Sequence, residues 1–79
     1  MALAQRHQLD EVDMKILRAL YEVGGGPARP RDLADKVGVS ARSIAAKMRK
    51  LRNLGLVERV GEGLYKLTDE GRRLVEEGG

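Results

Sequence analysis

Basic side chains crowd one short stretch of the chain, between Ser40 and Asn53. The stretch contains five Lys or Arg residues and no Asp or Glu, although the formal net charge of the whole chain is only +3. The five are Arg42, Lys47, Arg49, Lys50 and Arg52. A positively charged helix with one buried side has the properties needed to contact phosphates and base edges in a DNA groove.

A helix over this stretch, at about 100° per residue, would divide its side chains into an apolar side and a basic side. The apolar stripe consists of Ala41, Ile44, Met48 and Leu51. The opposite row consists of Arg42, Ala46, Arg49 and Asn53, with Ser43 and Lys50 beside it. Lys and Arg are also good helix formers on a solvated surface, which is the plainer explanation. A merely solvated helix usually mixes its signs for i,i+4 pairing, so the absence of acidic residues favours an anionic partner.

The length and composition restrict the classes of function that are open to this chain. Its 79 residues make one domain, which buries only about 60% of its unfolded surface and so has a thin core. Cysteine is absent and His7 is the single histidine, so disulfides, thiolate metal sites and cysteine nucleophiles are excluded. The carboxylates fit helix ends or the surface, and no nucleophile–base pair is visible. We therefore expect neither an enzyme nor a cofactor or metal site.

The remaining bulk properties concern location and partner. No apolar run is long enough to span a membrane, and the start of the chain lacks a signal-peptide pattern, so we expect a cytoplasmic protein. The sequence pI near 9.6 suits an anionic partner, although the distribution of charge matters more than its total. Arg and Glu are frequent while Asn and Gln together number three, which leans towards a thermophile.

The start of the chain predicts an arm followed by an amphipathic helix. Residues 1–8 lack periodicity and are expected to form a flexible N-terminal arm, with one domain over residues 9–79. Residues 9–22 carry a helical pattern, with Asp10 as N-cap and Asp13 completing a capping box. Its apolar side holds Leu9, Val12, Ile16, Ala19 and Leu20, with Leu17 at the border. The glycines at 24–26 and Pro27 would end the helix in a flexible loop.

A second, shorter helix leads into the basic stretch. Residues 31–37 form it, with Pro30 near its first turn, and Leu33, Ala34 and Val37 on its buried face. Gly38 would stop this helix in a left-handed conformation, and Ser40 would cap the next one. Short helix, tight turn and second helix together predict a helix-turn-helix.

The last third of the chain predicts a hairpin and a final helix. Residues 57–60 and 64–67 are predicted to be strands joined by a tight turn at 61–63. Val57, Tyr65 and Leu67 would face inward, which leaves Arg59 and Lys66 as candidates for the outer face. Thr68 would cap a helix over 69–77. Its only large apolar residues, Leu74 and Val75, would either fold back on the core or meet a second subunit.

The order helix, helix-turn-helix, β-hairpin, helix resembles a winged helix-turn-helix domain over roughly residues 9–77. The segment LDEVDMKILRAL is similar to the first helix of the leucine-responsive (Lrp/AsnC) regulators. The segment LADKVGVSARSIAAKMRKLRNLGLVER is similar to that family and to MarR-type regulators, and GLYKLTDEGRRLVEE resembles the wing end and following helix of MarR-like and PadR-like regulators. The resemblance implies a mainly α (α+β) fold with a three-helix core, a short β-hairpin wing and a C-terminal helix.

The resemblance also implies sequence-specific binding of double-stranded DNA by a transcriptional regulator, with residues 40–53 as recognition helix in the major groove. Arg42 and Arg49 would contact guanine edges and Ser43 a base or phosphate, while other basic residues would position the backbone. The candidate DNA-binding residues are Arg29, Arg31, Ser40, Ala41, Arg42, Ser43, Ala46, Lys47, Arg49, Lys50, Arg52, Arg59 and Lys66.

This sequence departs from the regulators it resembles in two places. No effector-binding domain of the Lrp type follows Gly79, so no small-molecule effector is implied. The wing carries acidic Glu62 at its tip, where a wing inserted into the minor groove would carry Arg or Lys. We therefore expect at most phosphate contacts from the wing, through Arg59 and Lys66.

Two other uses of such a domain stay open. A winged helix also serves as a protein-interaction module of a larger replication or transcription assembly, because fold alone does not settle function. Against this use, an interface core is usually aromatic or apolar, and the only aromatics, Tyr21 and Tyr65, are expected in the core. RNA binding would more typically display aromatic stacking platforms.

A thin core and apolar residues at both ends of the chain suggest a homodimer.

Overall fold

The computed structural model of the protein describes residues 9–78, and Met1–Gln8, the predicted arm, lies outside the described residues. The helices and strands of the described part follow one another as α1 (Glu11–Glu22), α2 (Pro30–Val37), α3 (Ala41–Asn53), β1 (Val57–Gly61), β2 (Leu64–Leu67) and α4 (Asp69–Glu76). Helices α1 to α3 surround the hydrophobic core, and the β1–β2 hairpin and α4 pack against its remaining side. This is a winged helix-turn-helix, which confirms the predicted fold class.

Helix α1 begins and packs as its sequence pattern predicts, with one exception. The side chain of Asp10 accepts a hydrogen bond from the N–H of Asp13, and the Asp13 side chain accepts one from the N–H of Asp10, so the capping box is complete. Ile16, Leu17 and Leu20 are fully buried. The prediction that Leu17 lies at the border was wrong, because α2, α4 and the hairpin together cover more of α1 than a single stripe.

The helix-turn-helix consists of α2, a short turn and α3. Pro30 stands at the first position of α2, where a backbone N–H would have no acceptor within the helix, so its absence costs no hydrogen bond. Gly38 ends α2 with a φ of 86°, in the left-handed region that glycine adopts most readily. The Ser40 hydroxyl accepts a hydrogen bond from the N–H of Ser43 at 3.2 Å and thereby caps α3. Gly38 therefore ends α2 and Ser40 begins α3, with a single residue between them.

The hairpin that forms the wing has an antiparallel register in which Val57 faces Leu67 and Arg59 faces Tyr65. Because side chains alternate along a strand, Arg59 shares a face with Val57, whereas Lys66 projects from the opposite face. Both basic residues are exposed. The prediction that they share the outer face was therefore wrong. Arg59 projects from the face of the hairpin that packs on the core, but it stays exposed because the core does not extend as far as this residue.

The glycine-rich segment after α1 is tied to the hairpin. Ala28 exchanges two backbone hydrogen bonds with Tyr65, and the N–H of Leu67 donates to the carbonyl of Gly25 at 2.8 Å. A Cβ on Gly26 would lie 2.7 Å from the Tyr65 carbonyl oxygen, so only glycine allows this approach. The segment was predicted to be a flexible loop; instead it covers one edge of β2.

Helix α4 folds back on the core of its own chain. Leu74 is buried and Val75 is half-buried against the same core. Gly71 permits the close contact, since a Cβ there would lie 2.1 Å from the Leu56 carbonyl oxygen. Tyr21 was expected in the core but is exposed, and its hydroxyl donates to the Glu76 carboxylate at 3.1 Å. Leu74 and Val75 were predicted either to pack on the core of their own chain or to contact a second subunit, and the structure shows packing within the chain.

None of the helices in residues 9–78 is both long enough and apolar enough to cross a membrane.

Candidate nucleic-acid interface

Helix α3 buries one side and exposes the other. Ile44, Met48 and Leu51 have no accessible surface. The exposed residues of the helix follow one another at spacings of three and four, which keeps them on one face. They include Arg42, Ser43, Ala45, Ala46, Arg49, Arg52 and Asn53. The outward face therefore combines three arginines with two alanines, whose small side chains let another molecule approach the helix backbone.

The arginines of this face are uncompensated. Within residues 9–78, neither Arg42 nor Arg49 forms an ion pair with a carboxylate, and the same holds for Arg52. An unpaired guanidinium on a helix surface keeps all five of its N–H donors available to a partner. The base contacts predicted for Arg42 and Arg49 require such exposed and unpaired side chains.

The two lysines of α3 behave differently from its arginines. The ammonium group of Lys50 lies 2.6 Å from Asp13 Oδ2 in α1. Lys47 donates a hydrogen bond to Asp10 and lies 3.7 Å from Asp13 Oδ1. Lys47 and Lys50, both among the candidate DNA-binding residues, thus reach sideways to the start of α1 instead of outward with the arginines. We call Asp10, Asp13, Lys47 and Lys50 the α1–α3 ion cluster.

The electrostatics of the α1–α3 ion cluster follow from its contacts. The hydrogen bond from Lys47 lowers the pKa of Asp10 from 3.8 to about 2, and the hydrogen bond with the Asp13 backbone acts in the same direction. The hydrogen bond to Asp10 likewise raises the pKa of Lys47. The carboxylate of Asp13 is fully buried, while the side chains of Lys47 and Lys50 are 29% and 39% exposed. The cluster thus fixes α3 against α1 and neutralises the positive charge that the lysines bring.

Two clefts flank the outward face of α3, and the tip of the wing borders both. The larger, of about 620 Å³, is lined by Arg29 and Arg31 from the start of α2, by Ala41, Arg42 and Ala45 from α3, and by Glu62. The smaller, of about 320 Å³, is lined by Arg52, Arg59, Gly61 and Glu62. We call the arginines on this side of the molecule, Arg29, Arg31, Arg42, Arg49, Arg52 and Arg59, the arginine surface.

The structure thus brings together part of the predicted site and separates the rest. The six arginines, Ala41, Ser43 and Ala46 lie on or beside the outward face of α3. Ser40 is at its edge, and its hydroxyl is engaged in capping. Lys66 projects from the far face of the hairpin, away from the core side. Ala45 was missed, although its position midway between Arg42 and Arg49 gave the signal: it is three residues after one and four before the other.

The arginine surface offers hydrogen-bond donors and positive charge. Among the described residues there is no group of three or more His, Cys, Asp or Glu placed to hold a metal ion. A row of arginine forks beside small side chains suits planar acceptors and phosphates, which guanidinium groups bind in bidentate fashion.

Comparison with known proteins agrees with this geometry. Residues 9–52 match the AsnC-type helix-turn-helix domain. The chain belongs to this family. The match covers α1, the helix-turn-helix and nearly all of α3, which are the elements that carry both the α1–α3 ion cluster and most of the arginine surface.

Two curated relatives of this AsnC-type domain are transcriptional regulators by name. The transcriptional regulator MntR of Escherichia coli O6:H1 is 33% identical over 73 residues, which cover 92% of this chain and 46% of MntR. The leucine-responsive regulatory protein of Rhizobium meliloti is 40% identical over 52 residues, which cover 66% of this chain and 32% of that protein. The chain therefore spans less than half the length of either relative.

Two solved structures show the same fold in different settings. Ligand-free NadR superposes with a TM-score of 0.76 and 30% identity, covering 92% of this chain and 53% of NadR. An O-methyltransferase from neocarzinostatin biosynthesis superposes with a TM-score of 0.63 and 28% identity, covering 89% of this chain but 25% of the enzyme. The winged helix is thus a module that occurs within longer chains.

Proposed function

We propose that this domain binds double-stranded DNA as part of a transcriptional regulator, with α3 as recognition helix in the major groove. The observation that carries the proposal is the outward face of α3: its three arginines are exposed and unpaired within residues 9–78, while its lysines are neutralised. A major groove about 12 Å wide admits one helix. The small side chains of Ala45 and Ala46 leave room for that approach.

The arginine surface divides by position into two roles. Arg42 and Arg49 stand on the outward row of α3, from which a bidentate contact to guanine O6 and N7 is possible, and Ser43 beside them can contact a base or a phosphate. Arg29 and Arg31 at the start of α2, Arg52 at the end of α3 and Arg59 in the wing flank that row. These four would bind phosphates on either side and fix the register of the helix.

The relatives support a regulatory role and favour a protein that is not an enzyme. Both curated relatives are named as regulators. A domain that binds DNA would act in the compartment that holds the DNA. The O-methyltransferase shows that a winged helix also occurs as a part of an enzyme chain, which keeps the protein-interaction module as the second candidate. The outward face of α3 disfavours that candidate, since it presents arginines, alanines and short polar side chains and no aromatic or large apolar residue of the kind that anchors an interface core.

Homodimer formation stays a prediction. Leu74 does not support it, because this residue packs within its own chain. A symmetric dimer would place two α3 helices about 34 Å apart on one side of the duplex. Sedimentation of the full chain at high concentration tests it, and a monomer at all concentrations would contradict it.

The DNA proposal is tested by a gel shift on random and genomic duplexes at two salt concentrations, followed by selection of bound sequences. If each subunit neutralises three to five phosphates, log K falls with log salt at a slope of about −2.7 to −4.5 per subunit. Selection would also enrich a common sequence, because the outward row would read base edges. A flat salt response would contradict DNA binding, and a steep slope with no enriched sequence would contradict specific readout.

A further inference from the structure

An acidic side chain stands among the arginines that flank α3. Glu62 lies at the tip of the wing, in the turn between β1 and β2, and it is exposed. It lines the larger cleft together with three arginines and the smaller cleft together with two others. Five of the six residues of the arginine surface therefore share a cleft with this one carboxylate.

The carboxylate of Glu62 forms no ion pair within the described part of the chain. The neighbouring arginine of the wing is held in place independently, since Arg59 Nε donates to the Gly61 carbonyl at 3.2 Å. The charge of Glu62 is thus neither buried nor cancelled by contact. It faces the two clefts that a DNA backbone would have to enter beside α3.

Elementary electrostatics gives the effect of such a charge. A phosphate drawn into either cleft by the arginines meets a like charge at short range, within one Debye length at physiological salt. In a solvent-exposed position this repulsion corresponds to a reduction in affinity of about 3- to 10-fold. The reduction acts on phosphate contacts, which supply essentially all of sequence-independent binding.

We propose that Glu62 is a negative determinant of DNA affinity, whose carboxylate repels phosphates at the wing tip and so limits sequence-independent binding. Of the two arginines assigned to base edges, Arg49 lines neither cleft, so its contact keeps its strength. The effect of the acidic tip is then to lower the occupancy of random DNA, against which a specific site has to compete. This inference rests on the proposed function, because it presupposes that the clefts receive DNA.

The hairpin itself supplies a matched control. Glu58 precedes Arg59 in β1, so it projects from the face of the hairpin opposite to Arg59, and it is exposed like Glu62. Glu62→Gln and Glu58→Gln remove the same charge from the same hairpin and change the net charge of the chain equally. Any effect of net charge alone therefore appears in both variants, and only the position of the carboxylate differs.

The experiment measures the Kd of the full chain, Glu62→Gln and Glu58→Gln for a fluorescently labelled random-sequence duplex across a salt series. The expected result is that Glu62→Gln binds about 3- to 10-fold more tightly at low salt, with a slope steeper by up to about 1, whereas Glu58→Gln changes Kd less than about twofold. Urea unfolding midpoints equal to that of the parent chain exclude a change in folding as the cause.

Three results would overturn the inference. Equal gains in Glu62→Gln and Glu58→Gln would show that net charge alone acts. Weaker binding by Glu62→Gln would show that the carboxylate helps binding, for example by accepting a hydrogen bond from cytosine N4. If the parent chain binds no duplex at the lowest salt, the proposed function itself fails. If the parent chain binds DNA but Glu62→Gln and Glu58→Gln have equal Kd values, only the role of Glu62 is overturned.

Discussion

The two flanks of α3 differ in what their basic side chains contact. On the outward flank, Arg42 and Arg49 are exposed and unpaired within residues 9–78. On the flank facing α1, Lys47 and Lys50 meet the carboxylates of Asp10 and Asp13. The same helix thus pairs one set of cations with carboxylates of its own chain and leaves the other set unpaired. Counting the basic residues of α3 therefore overestimates the positive charge that stays unpaired on its surface.

Chemistry explains why the sets are divided in this way. The compact lysine ammonium reaches the two carboxylates at the start of α1 with a single donor each, and its charge is cancelled there. The arginine fork gains most from planar partners outside the chain, such as a base edge or a phosphate. Removing charge from the flank that faces α1 should accordingly change stability, whereas removing it from the outward flank should change binding.

The largest effect is expected at Asp13, the buried centre of the α1–α3 ion cluster. Asp13→Ala removes the fully buried carboxylate, leaves Lys50 without its partner and Lys47 with Asp10 alone, and takes away half of the capping box. We expect a loss of about 3 kcal/mol of unfolding free energy, at the lower end of the range for buried pairs because both lysines remain partly exposed. Urea unfolding followed by circular dichroism measures it.

Asp35→Ala is the control for the Asp13 variant, since Asp35 is an exposed helical aspartate in α2. Its effect should stay within about 0.5 kcal/mol. Similar unfolding free energies for the two variants would show that the ion cluster contributes nothing to the position of α3.

An intermediate effect, on binding rather than on stability, is expected at Arg49. Arg49→Ala should weaken binding to a selected specific site by about 1–3 kcal/mol if the guanidinium reads a base, and it should leave the unfolding free energy nearly unchanged. Fluorescence anisotropy on the selected site and on a random duplex measures the loss. Arg73→Ala, which removes an arginine already paired with Glu70 in α4, serves as control. An equal loss on both duplexes would assign Arg49 to phosphate alone.

The smallest effect is the pH dependence contributed by Asp10. Its pKa is lowered from 3.8 to about 2 in the folded chain, so its contribution to stability is complete above about pH 4 and is lost as the pH falls towards 2. The side chain is 53% exposed, and after solvent screening the contribution is below about 1 kcal/mol. Asp10→Asn retains a capping residue and should lose less stability than the parent chain between pH 4 and pH 2 in urea unfolding. Identical pH profiles would contradict the ion pair with Lys47.

Local signals made most of the fold predictable from the sequence. Asp10, Ser40 and Thr68 were identified as N-caps from their residue type and from the helical pattern of the residues after them, and each accepts the expected backbone hydrogen bond. Gly38 was assigned a left-handed conformation because it stands directly after a helical pattern, and its φ agrees. These features depend on neighbours within four residues, which is the range over which a sequence pattern is informative.

The errors concern contacts between residues that are far apart in the chain. Lys47 and Lys50 find their carboxylate partners 37 positions earlier, and the periodicity of α3 alone places them at the edge of the exposed row. Tyr21 bonds to Glu76, 55 positions later, instead of entering the core. The segment 24–28 pairs with β2, although its glycines suggested a flexible loop. Periodicity gives the angle of a side chain around its helix, but the identity of the neighbour depends on the tertiary arrangement.

The most direct test of the division between the two flanks compares two double variants of α3. Arg42→Gln with Arg49→Gln, and Lys47→Gln with Lys50→Gln, each remove two positive charges from the same helix. Binding to the selected specific site is measured by fluorescence anisotropy where circular dichroism shows both variants folded. The arginine variant should lose about 2–6 kcal/mol of binding free energy, about 1–3 for each base-reading arginine, and the lysine variant less than about 0.5, because the lysines are already held by Asp10 and Asp13. Equal losses of binding free energy in the two variants would contradict the account.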